Sequence, residues 1–154
     1  MKNETKTALL EATTLTFEAL GFMFPARLLE EEQKAAAFEA AVCVEFGGSG
    51  DGTLVLSLSG GILPTIVENM VGDTAALGRR ASHDALGELA NVICGNVLTL
   101  IHEKGETFLL EPPRLLTAAD LAQPPGKLLA SATVGMERGR ADVRLYAREG
   151  PAAH

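Results

Sequence analysis

The stretch FEAAVCVEFGGSGDGTLVLSLS, Phe38 to Ser59, decides the fold class. Its first part alternates. Phe38, Ala40, Val42, Val44 and Phe46 fall on one side; Glu39, Cys43 and Glu45 fall on the other. Period-two alternation predicts a half-buried strand. GGSGDG (Gly47 to Gly52) follows, rich in residues that accept positive φ. Leu54, Leu56 and Leu58 then return on one face of a second strand. Two strands joined this tightly pair antiparallel. The glycines resemble a phosphate-cradling loop only superficially. They lack the Gly-Lys-Ser/Thr ending and join two strands rather than a strand and a helix.

Upstream, Leu9, Ala12, Thr13, Thr16, Phe17 and Leu20 recur at helical steps, predicting a helix from about Asn3 to Leu20 that stops at Gly21. Glu30 to Lys34 (EEEQK) reads as a solvated turn. Downstream, a short helix is expected from Ile62 to Val71, with Pro64 in its first turn and Gly72 at its end. After the connector GDTAALGRRAS comes a long helix, about Ser82 to Lys104, capped by Ser82 with Asp84 in its first turn. TFLLEPPRLLTAADLAQPPGK carries two Pro-Pro pairs, which exclude a long helix and leave a short edge strand and a surface loop. LLASATVGM and ADVRLYA are two further strands joined by ERGR. The expected fold is α+β: a layered domain with a largely antiparallel sheet covered by amphipathic helices. One domain spans 1–148, and 149–154 reads as a flexible tail.

The chain has 154 residues, enough for one substantial core. Thirteen basic against twenty acidic residues leave a formal charge of −7, which disfavours a nucleic-acid partner. Cys43 and Cys94 form no CxxC pair, and His83, His102 and His154 have no metal-ligand spacing. Both thiols read as buried small residues in a reducing cytoplasm. MKNETKTALL lacks the order of a signal peptide, and no apolar run approaches the roughly 20 residues of a membrane span. A cytoplasmic protein is expected.

The long helix carries the chemistry. On a wheel turning about 100° per residue, Glu88, Asn91 and Gly95 lie within roughly 40° of Asp84, and Leu98 and His102 continue the stripe. Leu86, Leu89, Ile93, Val97 and Leu100 cluster opposite. Asp and Glu on a wet helix face are ordinary. Asn is a mediocre helix former, and Gly costs roughly 0.8–1 kcal/mol relative to Ala. Neither is needed to solubilise a surface, so the stripe is a candidate working face.

Asp84, Glu88 and Asn91, with Pro113 twenty-two residues beyond Asn91, resemble the signature of the CheC/CheX/FliY chemotaxis phosphatases. GELANVICGN is most similar to the single-site CheX branch, and the element order follows it over nearly the whole chain. Cys94 stands where alanine is usual. Arg114 replaces a small polar residue after Pro113, a change expected at the rim of the site. Thr7, Glu11 and Thr14 repeat the spacing on the first helix with Thr in place of Asn, so one active face per chain is expected.

The resemblance implies a phosphatase that removes phosphate from the aspartate of a CheY-like receiver. Catalytic roles fall to Asn91, orienting the attacking water, and Glu88, pairing with a receiver lysine. Asp84, Gly95 and Pro113 are implied partner contacts. No cofactor is expected on this chain; Mg²⁺ comes in the partner receiver domain. The resemblance also implies a homodimer. Two other classes compete: a receiver-binding scaffold like the FliM middle domain of the flagellar switch, and a metal-dependent hydrolase using Asp84 and Glu88, for which no third ligand is evident.

Overall fold

The computed structural model describes residues 2–21, 23–26, 28–71, 78–102 and 105–148. Strands β1 (Phe38–Gly48) and β2 (Gly52–Ser59) form the expected antiparallel hairpin. Its alternation breaks once, where the register shifts between Phe38 and Ala40. Phe38 is consequently 41% exposed rather than buried with Val42 and Val44. Glu39 is turned to a new use. Its carboxylate accepts the Ile62 N–H at 2.8 Å and the Leu63 N–H at 3.0 Å, at the start of helix α3 (Leu63–Val71). A strand side chain thereby satisfies orphan helix donors and meets the positive end of the helix dipole.

The sheet is completed by β3 (Phe108–Leu110), β4 (Arg114–Leu116), β5 (Gly126–Met136) and β6 (Gly139–Arg148). The order is β3-β1-β2-β6-β5, with β4 also on β1, and every pairing is antiparallel. β3 pairs with Phe46 to Gly48 and β4 with Ala41 to Cys43. They behave as one edge strand interrupted by Pro112 and Pro113, which have no N–H to donate. The Pro-rich segment therefore holds two short strands where one was expected.

Helices α1 (Lys2–Gly21) and α4 (Gly78–Ile101) cover one face of the sheet, with α3 packed against both. The core between them includes Leu9, Phe17, Leu56, Ile66, Leu89 and Ile93, all without solvent exposure. Each such side chain contributes roughly 1.5–3 kcal/mol relative to exposure. Thr13 and Thr16 join this layer by donating their hydroxyls to the carbonyls of Leu9 and Ala12, both at 2.7 Å.

Helix α4 departs from expectation at its start. It is already helical at Gly78, so Ser82 is not its cap and Asp84 lies in its second turn. The dipole argument for Asp84 is weakened accordingly. Residues Ala81–Ile101 are also long and apolar enough on average to cross a bilayer, with a mean hydropathy of 1.3. No single apolar run betrays this, because Asp84 and Glu88 interrupt it. Half of the segment is buried within the domain, as a core helix.

EEEQK is not a solvated turn. Glu31–Lys34 is a short helix, α2, with Gln33 buried. The Gln33 Oε1 accepts the Glu30 N–H at 2.8 Å, and its Nε2 donates to the Glu137 carbonyl at 3.0 Å. Arg140 fixes the same helix from the sheet, donating to the carbonyls of Gln33, Lys34 and Ala36 while pairing with Asp142 at 3.0 Å. A further short helix, α5 (Ala118–Leu121), capped by Thr117, crosses the other face of the sheet. Gly72, Lys104 and the tail 149–154 lie outside the described residues.

Candidate functional site

Asp84, Glu88 and Asn91 line one open groove with Pro113, and Val42, His83, Gly87, Val92 and Leu115 complete it. Helix α4 makes the floor. Leu86, Leu89, Ala90 and Ile93 are fully buried behind it, which fixes the rotation of the polar stripe. Glu88 and Asp84 are exposed and Asn91 is half-buried. By the helical rise, Glu88 and Asn91 are roughly 4.5 Å apart along the axis, and Asp84 and Asn91 roughly 10.5 Å. The opposite wall is the β3–β4 junction. Val42 pairs with Leu115 in the sheet, so both face α4.

The wall touches the floor at one point that motif spacing does not reveal. A Cβ on Gly87 would lie 3.1 Å from Pro113 Cγ and 3.2 Å from Pro113 Cβ. Gly87 thus lets the proline ring seat directly on the helix between Asp84 and Asn91. The available signal was a glycine one position before Glu88, in the interior of a predicted helix.

Gly95 does not share this groove. It lines a neighbouring depression with Leu98, Thr99, His102, Phe108 and Leu110, and a Cβ added to it meets nothing within 4 Å among the described residues. Two wheel assignments also reverse. Leu98, drawn on the polar stripe, is 3% exposed, whereas Leu100, drawn on the buried side, is 50% exposed. β3 covers the C-terminal half of α4 from the polar side. The His102 ring lies 4.5 Å from that of Phe108, and its Nδ1 is buried without a hydrogen-bond partner among the described residues.

Arg114 also departs from expectation. Its sheet partner is Cys43, which points away from α4, so Arg114 lies on the opposite face from the groove. On α1, Thr7 and Glu11 line a shallow depression with Leu100, and Thr14 is not part of it. Both cysteines are buried and free. Burial pushes the Cys94 thiol up to about 12, which leaves it a protonated packing group.

Among the described residues, no three His, Cys, Asp or Glu side chains converge as a metal site. The groove offers carboxylates and an amide on a rigid helix, a geometry suited to orienting a reactant.

The sequence matches the family Chemotaxis phosphatase CheX over residues 40–135. No match was found among curated proteins. The fold is that of solved chemotaxis proteins. CheX from Desulfovibrio desulfuricans is 18% identical with a TM-score of 0.70, covering 94% of this chain and 99% of its own. CheX from Vibrio vulnificus is 14% identical with a TM-score of 0.70, covering 95% and 97%. CheX in a CheX-CheY-BeF3-Mg²⁺ complex from Borrelia burgdorferi is 16% identical with a TM-score of 0.62, covering 93% and 97%. The family match spans more than half the chain and includes the whole α4 groove, and the chain belongs to the CheX family of chemotaxis phosphatases.

Proposed function

We propose that this chain hydrolyses the acyl phosphate on the aspartate of a CheY-like receiver domain. Asn91 orients the attacking water and Glu88 pairs with the receiver's lysine. The observation that carries the reading is the shared groove of Asp84, Glu88, Asn91 and Pro113 on a helix whose far side is fully buried. Such a helix can insert as a rigid probe into a partner's phosphoryl site.

The chemistry asks little of this chain. Water oxygen forms the new bond to phosphorus. The bond from phosphorus to the aspartyl oxygen breaks, its electron pair goes to the carboxylate, and inorganic phosphate leaves. Positioning and charge stabilisation dominate phosphoryl transfer. The receiver supplies the Mg²⁺ and the lysine. Asn91 accepts a hydrogen bond from water through its carbonyl and donates through its NH₂. As a neutral group it adds no negative charge beside an anionic phosphoryl. Glu88, one turn away, sets depth and register by pairing with the lysine. Asp84 and the Pro113 wall bound the contact, and Gly95 extends it without a side chain of its own.

The CheX-CheY complex from Borrelia burgdorferi supports a receiver as the partner class. A homodimer, which the family resemblance suggests, has a natural contact in the outer edge of β5, where Leu128 and Leu129 are 49% and 41% exposed. The two buried free thiols suit a cytoplasmic setting.

The deciding experiment follows phosphate release from a phosphorylated CheY-like receiver with and without this protein, alongside a binding measurement. Binding with acceleration supports the enzyme. Binding without acceleration identifies a scaffold.

A further inference from the structure

A second cavity lies on the face of the sheet opposite α1, α3 and α4. Its floor is the small cluster of Cys43, Val55 and Tyr146, with Leu116 and Leu121 packed against it. Its rim carries Arg114 and Asp120, and Pro124 and Pro125 close one side. It measures about 130 Å³. That is several times the roughly 10–15 Å³ needed to hold one water, so the space suits a small molecule rather than a single solvent site. None of its lining belongs to the α4 groove.

The rim charges are of opposite sign and only loosely engaged. Arg114 meets Glu45 at 3.9 Å, with its own side chain 64% exposed. Asp120 accepts the Thr117 N–H at 2.8 Å, and its hydrogen bonds to the Thr117 backbone and side chain hold its carboxyl below the usual carboxylate range. A guanidinium and a carboxylate beside an apolar floor suit a ligand that has both charges and a short hydrocarbon group.

β4 joins this cavity to the groove. It is three residues long and, among the described residues, pairs only with β1, Ala41↔Leu116, Val42↔Leu115 and Cys43↔Arg114. Strand alternation sends Arg114 and Leu116 to the cavity and Pro113 and Leu115 to the groove. A ligand pressing on Leu116 and gripping Arg114 therefore acts on the wall that seats against Gly87.

We propose that this cavity is a regulatory site for a small zwitterion with an apolar side chain, the chemical class of the aliphatic amino acids, read by the α4 groove through β4. The binding claim stands apart from the phosphatase reading; only an effect on phosphate release would rest on it.

The test titrates the isotope-labelled full chain with L-leucine and follows backbone amide resonances. 4-Methylpentanoate, which lacks the ammonium, and isopentylamine, which lacks the carboxylate, serve as matched probes. Leucine should saturate, moving the amides of Cys43, Val55 and Leu121 and, across β4, those of Leu115 and Gly87. Each single-charge probe should bind about tenfold more weakly, and Arg114→Ala should weaken leucine by about the same factor. The exposure of Arg114 leaves the fold of that variant intact, which its unshifted core resonances would verify. Absence of saturable shifts, 4-methylpentanoate or isopentylamine binding as tightly as leucine, or wild-type affinity in Arg114→Ala would overturn the site. Saturable shifts that stop at the cavity and leave Leu115 and Gly87 unmoved would overturn the coupling.

Discussion

Gly87 and Pro113 are in direct contact: a Cβ on the glycine would come within 3.1 Å of the proline ring. Gly95, eight residues along the same helix, has no described atom within 4 Å of where its Cβ would be. The two glycines should therefore respond oppositely to substitution. Gly87→Leu should lose about 1–3 kcal/mol through overpacking against the β3–β4 junction. Gly95→Ala should gain up to about 1 kcal/mol from helix propensity alone. Urea denaturation of both variants checks this. Equal destabilisation of the two would mean that the contact at Pro113 is not what requires Gly87.

Cys94 gives a pH dependence with a definite sign. Its thiol is pushed by burial from 9.0 to about 12 in the folded chain. Below the unfolded value both states hold the proton, and the contribution is fully present. As pH rises from about 9 toward 12, the unfolded thiol ionises while the buried one cannot, and stability falls by at most roughly 1.4 kcal/mol per pH unit from this group. Cys94→Ala should flatten the stability profile across that window. An unchanged alkaline slope in Cys94→Ala would assign the loss to other groups.

Arg140 ties the sheet to α2. It pairs with Asp142, itself bonded by the Thr133 hydroxyl at 2.6 Å, and donates to three carbonyls around α2. Side-chain exposures of 22% and 19% make this a partly shielded pair. Arg140→Met should cost about 2–3 kcal/mol, since charge-assisted bonds are lost and Asp142 keeps an uncompensated charge. Amide exchange should quicken at Gln33 and Lys34 first. A loss below about 0.5 kcal/mol would place it with ordinary surface pairs.

Much of this architecture is legible in the sequence, and the gaps have physical causes. The β1–β2 and β5–β6 hairpins follow from alternation and turn residues, both local signals. The groove residues Asp84, Glu88, Asn91 and Pro113 follow from spacing and resemblance. α2 was hidden because its stability comes from Gln33 reaching Glu137, more than a hundred residues away. Glu39 looked like an outward strand residue because its target lies twenty-three residues on, at α3. Leu98 and Leu100 were exchanged because a wheel assumes one buried side. α4 packs against α1, α3 and several strands, and β3 covers part of the side drawn as polar. The Gly87–Pro113 contact joins two segments whose proximity no periodicity encodes.

The central claim is that the amide of Asn91 places the hydrolytic water. The most direct measurement compares wild type and Asn91→Ala in accelerating phosphate release from one phosphorylated CheY-like receiver, with receiver affinity measured in parallel. The account predicts near-unchanged affinity and an acceleration reduced by about 10²-fold or more, the scale of losing one oriented polar catalytic group. An Asn91→Ala protein that accelerates release as well as wild type would contradict it.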